Sequence, residues 1–214
     1  MTPFISLDGL AAPLEGRNVD TDQIIPARFL KKRRGEYADY LFYDLRFDAE
    51  QRPREDFVLN QAAFQGAHIL VCDENFGCGS SREAAVYAMV DFGIKSILAP
   101  SFGDIFYNNC LKNGVLPIVL STDTLKALRL ALTQVAQKNT PLAERQAGLS
   151  IKIDLKNCTV TCGYFKQPLH FEIDPFWQEC LMKGVDEIAL TLGYSDQIQQ
   201  YEQKARENQP WLAP

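Results

Sequence analysis

The sequence predicts an α/β fold on a mostly parallel central sheet. Between residues 67 and 120, short apolar runs alternate with segments of helical spacing, in the order strand, helix, strand, helix, strand. That pattern belongs to parallel strands joined by right-handed crossovers. Beyond residue 150 apolar residues fall at every second position, the period of half-buried strands, which predicts antiparallel strands. With 214 residues, 46% hydrophobic and 23% charged, residues 1–214 can bury a sizeable core as one domain.

The first thirty residues are rich in turn formers and lack helical periodicity. Asn18-Val19-Asp20-Thr21-Asp22 reads as a structured loop at a strand end, because Asp and Thr side chains bond nearby backbone. Lys31 to Gln51, with Tyr37, Tyr40, Phe42 and Tyr43, reads as a long and partly helical excursion. Ala67 to Cys72 is a buried strand. Ser81 to Phe92 has Ala84, Ala85, Ala88, Met89 and Phe92 at helical spacing and ends at Gly93. Lys95 to Ala99 is the next strand, Asp104 to Lys112 a helix closed by Gly114, and Val115 to Leu120 a third strand. Thr122 to Gln137 is a helix with Leu125, Leu128, Leu132 and Val135 on one side, and Pro141 to Leu149 a connector. Ile151, Ile153 and Leu155 alternate with polar residues, Lys156-Asn157 turns the chain toward Val160, and Leu169, Phe171 and Ile173 alternate again. Asp174-Pro175 starts a helix that stops at Gly184, since an acid can cap and proline lacks an N–H that the first turn would leave unpaired. Helices follow near Asp186–Leu192 and Ser195–Arg206, and residues 207–214 are expected to fray.

Composition excludes several functions. The net charge of −5 provides no overall positive field for nucleic acid or an anionic membrane, and Lys31-Lys32-Arg33-Arg34 reads as a solvated loop. No stretch approaches the ~18 apolar residues that span a bilayer. Met1 to Leu10 lacks the basic start and apolar run of a signal peptide, so a cytoplasmic protein is expected. Cys72, Cys78, Cys110, Cys158, Cys162 and Cys180 are scattered, with no Cys-x-x-Cys pair and only His68 and His170 as histidines. That predicts no disulfide framework and no self-contained zinc or iron–sulfur site.

The chemistry is expected between the first strand of the parallel run and its helix, in Asn75-Phe76-Gly77-Cys78-Gly79-Ser80-Ser81-Arg82-Glu83. Two glycines flanking one residue permit close approach of a ligand. Ser80 or Ser81 is expected at the helix cap, where free N–H groups and the helix dipole favour an anion, and Arg82 adds a fork that fits a carboxylate or phosphate. Open α/β sheets bind ligands at this end of their strands. A simple capping loop accounts for the same residues. The stretch is neither a phosphate-binding Walker loop, for no Gly-Lys-Ser/Thr follows, nor a dinucleotide fingerprint, for Arg82 replaces the third glycine. Cys78 could be activated beside a helix start and an arginine, but nothing in the sequence aims His68 at it. Asp104 reads as an N-terminal helix acid; Asn108 or Asn109 either reaches back to the loop or makes a helix contact.

Val19-Asp20-Thr21-Asp22-Gln23-Ile24-Ile25-Pro26-Ala27-Arg28-Phe29-Leu30, Phe76-Gly77-Cys78-Gly79-Ser80-Ser81-Arg82-Glu83 and Ser101-Phe102-Gly103-Asp104-Ile105-Phe106 together resemble the small-subunit family of 3-isopropylmalate dehydratase. The likeness continues to about Tyr201, through Gly184-Val185-Asp186-Glu187-Ile188-Ala189-Leu190-Thr191-Leu192. It implies the swivelling domain of aconitase, a three-layer β/β/α fold. It also implies a hydro-lyase of leucine biosynthesis that interconverts 2- and 3-isopropylmalate by removing and re-adding water. The resemblance places a 4Fe-4S cluster on a large-subunit partner and none on this chain. By the same match Ser80 is the base, Ser81 a neighbouring binding group, Arg82 a carboxylate clamp and Asp22 a positioning residue. Arg34, or Arg33 in its place, corresponds to a further substrate-binding arginine, and Phe29, Leu30, Lys31 and Lys32 to the loop that reads the substrate's side chain. The small subunit of homoaconitase is similar, and a stand-alone anion-binding module is the reading from another class.

Overall fold

The computed structural model describes residues 1–209 and 211. In chain order the elements are strand β1 (Ser6–Pro13), helix α1 (Thr21–Ile24), helix α2 (Tyr43–Arg46), β2 (Ile69–Val71), α3 (Ala84–Phe92), β3 (Ser96–Ala99), α4 (Asp104–Lys112), β4 (Leu116–Val119), α5 (Thr122–Ala136), α6 (Leu142–Gly148), β5 (Ser150–Asp154), β6 (Thr159–Cys162), β7 (Leu169–His170), α7 (Pro175–Lys183), α8 (Glu187–Leu192) and α9 (Ser195–Asn208). The strands form one mixed sheet in the order β4-β3-β2-β1-β5-β6-β7.

The sheet changes character inside β1. Ala11, Ala12 and Pro13 run parallel to Ile69, Leu70 and Val71 of β2, whereas Ser6 to Leu10 run antiparallel to β5. Burial follows the change. Leu7 is buried between exposed Ser6 and Asp8, but Ala11, Ala12 and Pro13 are buried in succession. One-sided burial suits an antiparallel flank and continuous burial a parallel centre covered on both faces. Sequence patterning does not reveal β1, because Asp8-Gly9 and Pro13 argue against a strand. Pairing on both sides overrides that preference.

The parallel core is otherwise as expected, with β2, β3 and β4 side by side. Helix α3 packs against α4, and α5 packs across β1, β2 and β3. Arg129 of α5 is buried; it donates to the Cys72 carbonyl and pairs with Asp73 at 3.2 Å, tying α5 to the end of β2. The antiparallel flank is also as expected, although β7 is only two residues long and Ile173 lies beyond it.

Other expectations need correction. The polar cluster before Ile24 is a single helical turn, α1, closed by a capping box: the Gln23 N–H donates to Asp20 Oδ1 at 2.8 Å and the Asp20 N–H donates to Gln23 Oε1 at 3.0 Å. The connector at 141–149 contains α6. Helix α3 begins at Ala84 rather than Ser81, with Glu83 as its N-cap, so neither Ser80 nor Ser81 caps it. Helix α9 runs to Asn208, and of the expected frayed tail residues 210 and 212–214 lie outside the described residues. The excursion from Lys31 to Gln51 winds through a 3₁₀ turn at Tyr37–Tyr40 and through α2. It is anchored by Leu41 and Phe42, both fully buried, and by Arg28 paired with Asp44.

Candidate active site

Strands β1 and β2 are parallel, so the loops leaving their carboxyl ends emerge together. The loop after β2 is held between two others: Asp20 bridges Cys78 on one side and Phe76 bridges Phe102 on the other. Gly77 donates to the Val19 carbonyl at 2.7 Å and Thr21 to the Cys78 carbonyl at 3.0 Å. On the far side Phe76 donates to the Ser101 carbonyl at 3.1 Å and Gly103 to that of Phe76 at 2.9 Å. Phe76, fully buried, meets the Phe106 ring edge-on at 5.5 Å. Gly77 has a φ of +74°, and a Cβ there would lie 2.2 Å from that ring. A Cβ on Gly103 would lie 2.7 Å from the Gly77 carbonyl oxygen. Glycine is required at both positions so that backbone can pack directly beneath the loop.

Above this base the chain exposes Ser80 and Ser81. The Ser80 backbone is gripped from below by Thr21, whose Oγ1 accepts the Ser80 N–H and donates to the Ser80 carbonyl, each at 3.2 Å. Arg82 is partly buried, with 23% of its side chain exposed, and its Nη1 pairs with Asp22 Oδ1. Among the described residues, Nε and Nη2 of Arg82 and the N–H groups of Ser81, Arg82 and Glu83 have no partner in the chain. The result is an exposed surface with one hydroxyl pair, a half-engaged guanidinium and free backbone donors. It can accept a carboxylate and stabilise a developing oxyanion.

Ser80, Ser81, Arg82 and Asp22 are thus brought together. Among the described residues no hydrogen bond or ion pair joins Arg34 to any of these four. Its guanidinium lies 3.7 Å from the Tyr87 ring centroid and donates to Asn113 Oδ1 at 3.3 Å, and Asn113 follows the last turn of α4, whose first turn is the one beside the loop. Asn113 also donates to Glu83 at 2.8 Å; that bond, with burial opposing it, leaves the Glu83 carboxyl below its ordinary value. Arg33 is exposed. Phe29 stacks on Tyr40 at 4.3 Å and meets Tyr43 at 4.8 Å; Leu30 accepts from the Tyr37 hydroxyl at 3.1 Å; Lys32 lies 4.8 Å from the Tyr40 ring; and Lys31 is exposed.

His68 stands just before β2 and its Nδ1 contacts the Gly93 carbonyl at 2.8 Å, at the opposite end of the strand from Cys78. No base reaches that thiol from His68. Asn108 donates to the Asp104 carbonyl of its own helix at 3.0 Å rather than to the loop. Cys72, Cys110 and Cys180 are fully buried, and burial pushes the Cys72 and Cys110 thiols up, away from the thiolate a metal requires. Among the described residues no group of three or more His, Cys, Asp or Glu side chains converges to hold a metal ion, so the donor set does not fit an iron–sulfur cluster. Thr21 is the site residue that sequence patterning misses. A Thr between two Asp residues predicts a bond to nearby backbone, but its partner lies 59 residues away.

A family model of the aconitase C-terminal domain matches residues 1–123, and a model of the C-terminal domain of the 3-isopropylmalate dehydratase small subunit matches residues 187–214. Relatives named 3-isopropylmalate dehydratase small subunit match the whole chain. That of Rhodospirillum centenum is 46% identical, covering 99% of this chain and 98% of its own. That of Azorhizobium caulinodans is 46% identical, covering 99% and 100%. The chain belongs to the 3-isopropylmalate dehydratase small-subunit family. A solved 3-isopropylmalate dehydratase structure from Methanocaldococcus jannaschii superposes with a TM-score of 0.60 at 28% identity, covering 92% of this chain and 99% of that one. The family's fold is the aconitase-type swivelling domain, which accounts for the parallel core and the antiparallel flank sharing β1.

Proposed function

We propose that this chain is the cytoplasmic small subunit of a hydro-lyase that isomerises 2-isopropylmalate to 3-isopropylmalate in leucine biosynthesis, active only with its large subunit. Family membership supports the reaction. The observation that carries the need for a partner is the openness of the site: Ser80, Ser81 and Asp22 all face solvent. Electrostatic stabilisation of a reacting centre needs a water-poor cavity, which a second surface closing over the loop would create.

In this reading Ser80 Oγ takes the proton from the substrate carbon. A serine hydroxyl is a poor base, and the free N–H groups after it, with the Arg82 charge, would stabilise its alkoxide. Arg82 uses its unpaired Nε and Nη2 for one substrate carboxylate while Asp22 holds Nη1, and Ser81 binds alongside. Phe29, Leu30, Lys31 and Lys32 read the substrate's side chain. Arg34, or Arg33 in its place, serves as a further substrate-binding arginine; Arg34 is joined to Glu83, next to Arg82, through Asn113. A 4Fe-4S cluster on the large subunit would supply the Lewis acid for the leaving hydroxyl, and the residues of this chain would bind the substrate and move its proton. No helix of the described residues is long and apolar enough to cross a membrane, and nucleic acid has no role in this reading.

Reconstitution with cluster-bearing large subunits, assayed on isopropylmalate and homocitrate, tests the proposal. Turnover of isopropylmalate only in the mixture is expected. Turnover of homocitrate alone would assign the chain to a homoaconitase, and tight dicarboxylate binding by the unmixed chain would favour an anion-binding module.

A further inference from the structure

We propose that Thr21 is the positioning residue for Ser80, holding the catalytic hydroxyl's backbone in one conformation through a bond pair that spans two loops. The inference rests on the assignment of Ser80 as the base. Thr21 is 1% exposed, one of the few polar residues in the buried set. Its hydroxyl both accepts from Ser80 N–H and donates to Ser80 C=O, at 3.2 Å each. A single hydroxyl therefore satisfies both backbone groups of one exposed residue.

Thr21 is itself fixed. Its N–H donates to the Cys78 carbonyl at 3.0 Å, and its carbonyl accepts from Ile25 at 3.0 Å. The capping box of Asp20 and Gln23 holds the turn it begins. Nothing comparable holds Ser80 from above. Gly79 just before it has a φ of +92°, a conformation glycine adopts without the steric limits of a side chain, so the residue leading into Ser80 does little to fix it. Without the hydroxyl, Ser80 is tethered only through its neighbours. The clamp also separates roles within the loop: it occupies the Ser80 N–H and leaves those of Ser81, Arg82 and Glu83 free to face an anion.

The test uses the enzyme reconstituted with its large subunit. Thr21→Val keeps the shape and deletes the hydroxyl; Thr21→Ser keeps the hydroxyl. Thr21→Val is expected to lower kcat by about ten- to a hundredfold with KM within about threefold, the size of effect that a misplaced reacting group produces. Thr21→Ser should recover kcat to within about threefold of wild type, which a role in packing the methyl group would not do. On a Ser80→Ala background, Thr21→Val should change the residual rate by less than about twofold, because residues acting as one unit are not additive. If Ser80→Ala turns over like wild type, the assignment of the base falls and this proposal with it. If Ser80→Ala is inactive but Thr21→Val has wild-type kcat, or the two losses multiply, the clamp alone is overturned. Should Thr21→Val fail to assemble, amide exchange in the unmodified isolated chain decides: the Ser80 amide exchanging at least about tenfold more slowly than that of Ser81 supports the clamp, and equal rates overturn it.

Discussion

In the proposed reaction Ser80 and Arg82 divide the chemistry of the site by what the protein leaves unpaired. The Ser80 backbone is engaged and its hydroxyl is exposed; Arg82 has one nitrogen on Asp22 and two without partners. Ser80→Ala is expected to lower turnover of the reconstituted enzyme by orders of magnitude while leaving the complex with the large subunit intact, with activity and gel filtration as the paired readouts; near-normal turnover would move the base to Ser81 or to the partner. Arg82→Lys keeps the charge but loses the fork. It should weaken kcat/KM at least tenfold, on the order of 1.4 kcal/mol. Arg82→Ala should cost more, since it strands both Asp22 and a substrate carboxylate. Silent kinetics in both variants, with normal complex formation, would remove the carboxylate clamp. The residue types Ser-Ser-Arg read in the sequence as a candidate anion site, but the pairing of Arg82 with Asp22 was not legible there, since sixty residues separate the two.

Among the elements, the loop after β2 depends on what lies beneath it more than on the helix that follows. Sequence patterning placed β2, β3, β4 and α4 within a residue or two, because apolar runs and their 3.6-residue spacing report burial directly. It started α3 three residues early, since a Ser-Ser pair before an apolar helix resembles a cap, whereas Glu83 already has helical dihedrals and the serines stand outside. Gly77→Ala tests the element. The new methyl would meet the Phe106 ring at a backbone conformation that disfavours side chains, so a loss of roughly 3 kcal/mol is expected in denaturant unfolding. Unchanged stability would mean that the loop does not rest on α4.

For the whole molecule, the donor set predicts that the purified chain carries no stoichiometric iron. Iron and sulfide analysis of protein prepared without oxygen checks this, and a full cluster per chain would place the metal on the wrong subunit. Acid stability follows from carboxylates held below their ordinary range: Asp44 by its bond to Arg28, Asp56 by Arg54, Glu83 by Asn113 and Asp154 by the Asn157 backbone N–H. A carboxyl with a lowered folded-state value contributes stability above its unfolded value and loses it as pH falls through the folded one. The melting temperature should therefore hold near neutrality and decline below about pH 4, each surface pair adding little on its own. Asp44→Asn should flatten part of that decline; an identical acid profile would rule out a contribution from the Arg28 pair.

Three features were set by neighbours along the chain: the alternation of strand and helix, the glycine-flanked Ser-Ser-Arg loop at a strand end, and the lack of a local metal-ligand pattern. Each is written in periodicity, in turn residues or in spacing. The remainder came from folding in three dimensions. Strand β1 exists because β2 and β5 pair with its two halves, against the preference of Gly9 and Pro13. Thr21 reaches Ser80, and Asp22 reaches Arg82, because parallel β1 and β2 bring their carboxyl ends side by side. Arg34 rests on Tyr87 and Asn113, and Asn113 links it to Glu83 beside Arg82, a contact between three segments far apart in the chain. Contacts between residues far apart in the chain leave no period in the sequence; they arise where buried strands must pair all their backbone groups, and that pairing sets which loops can touch.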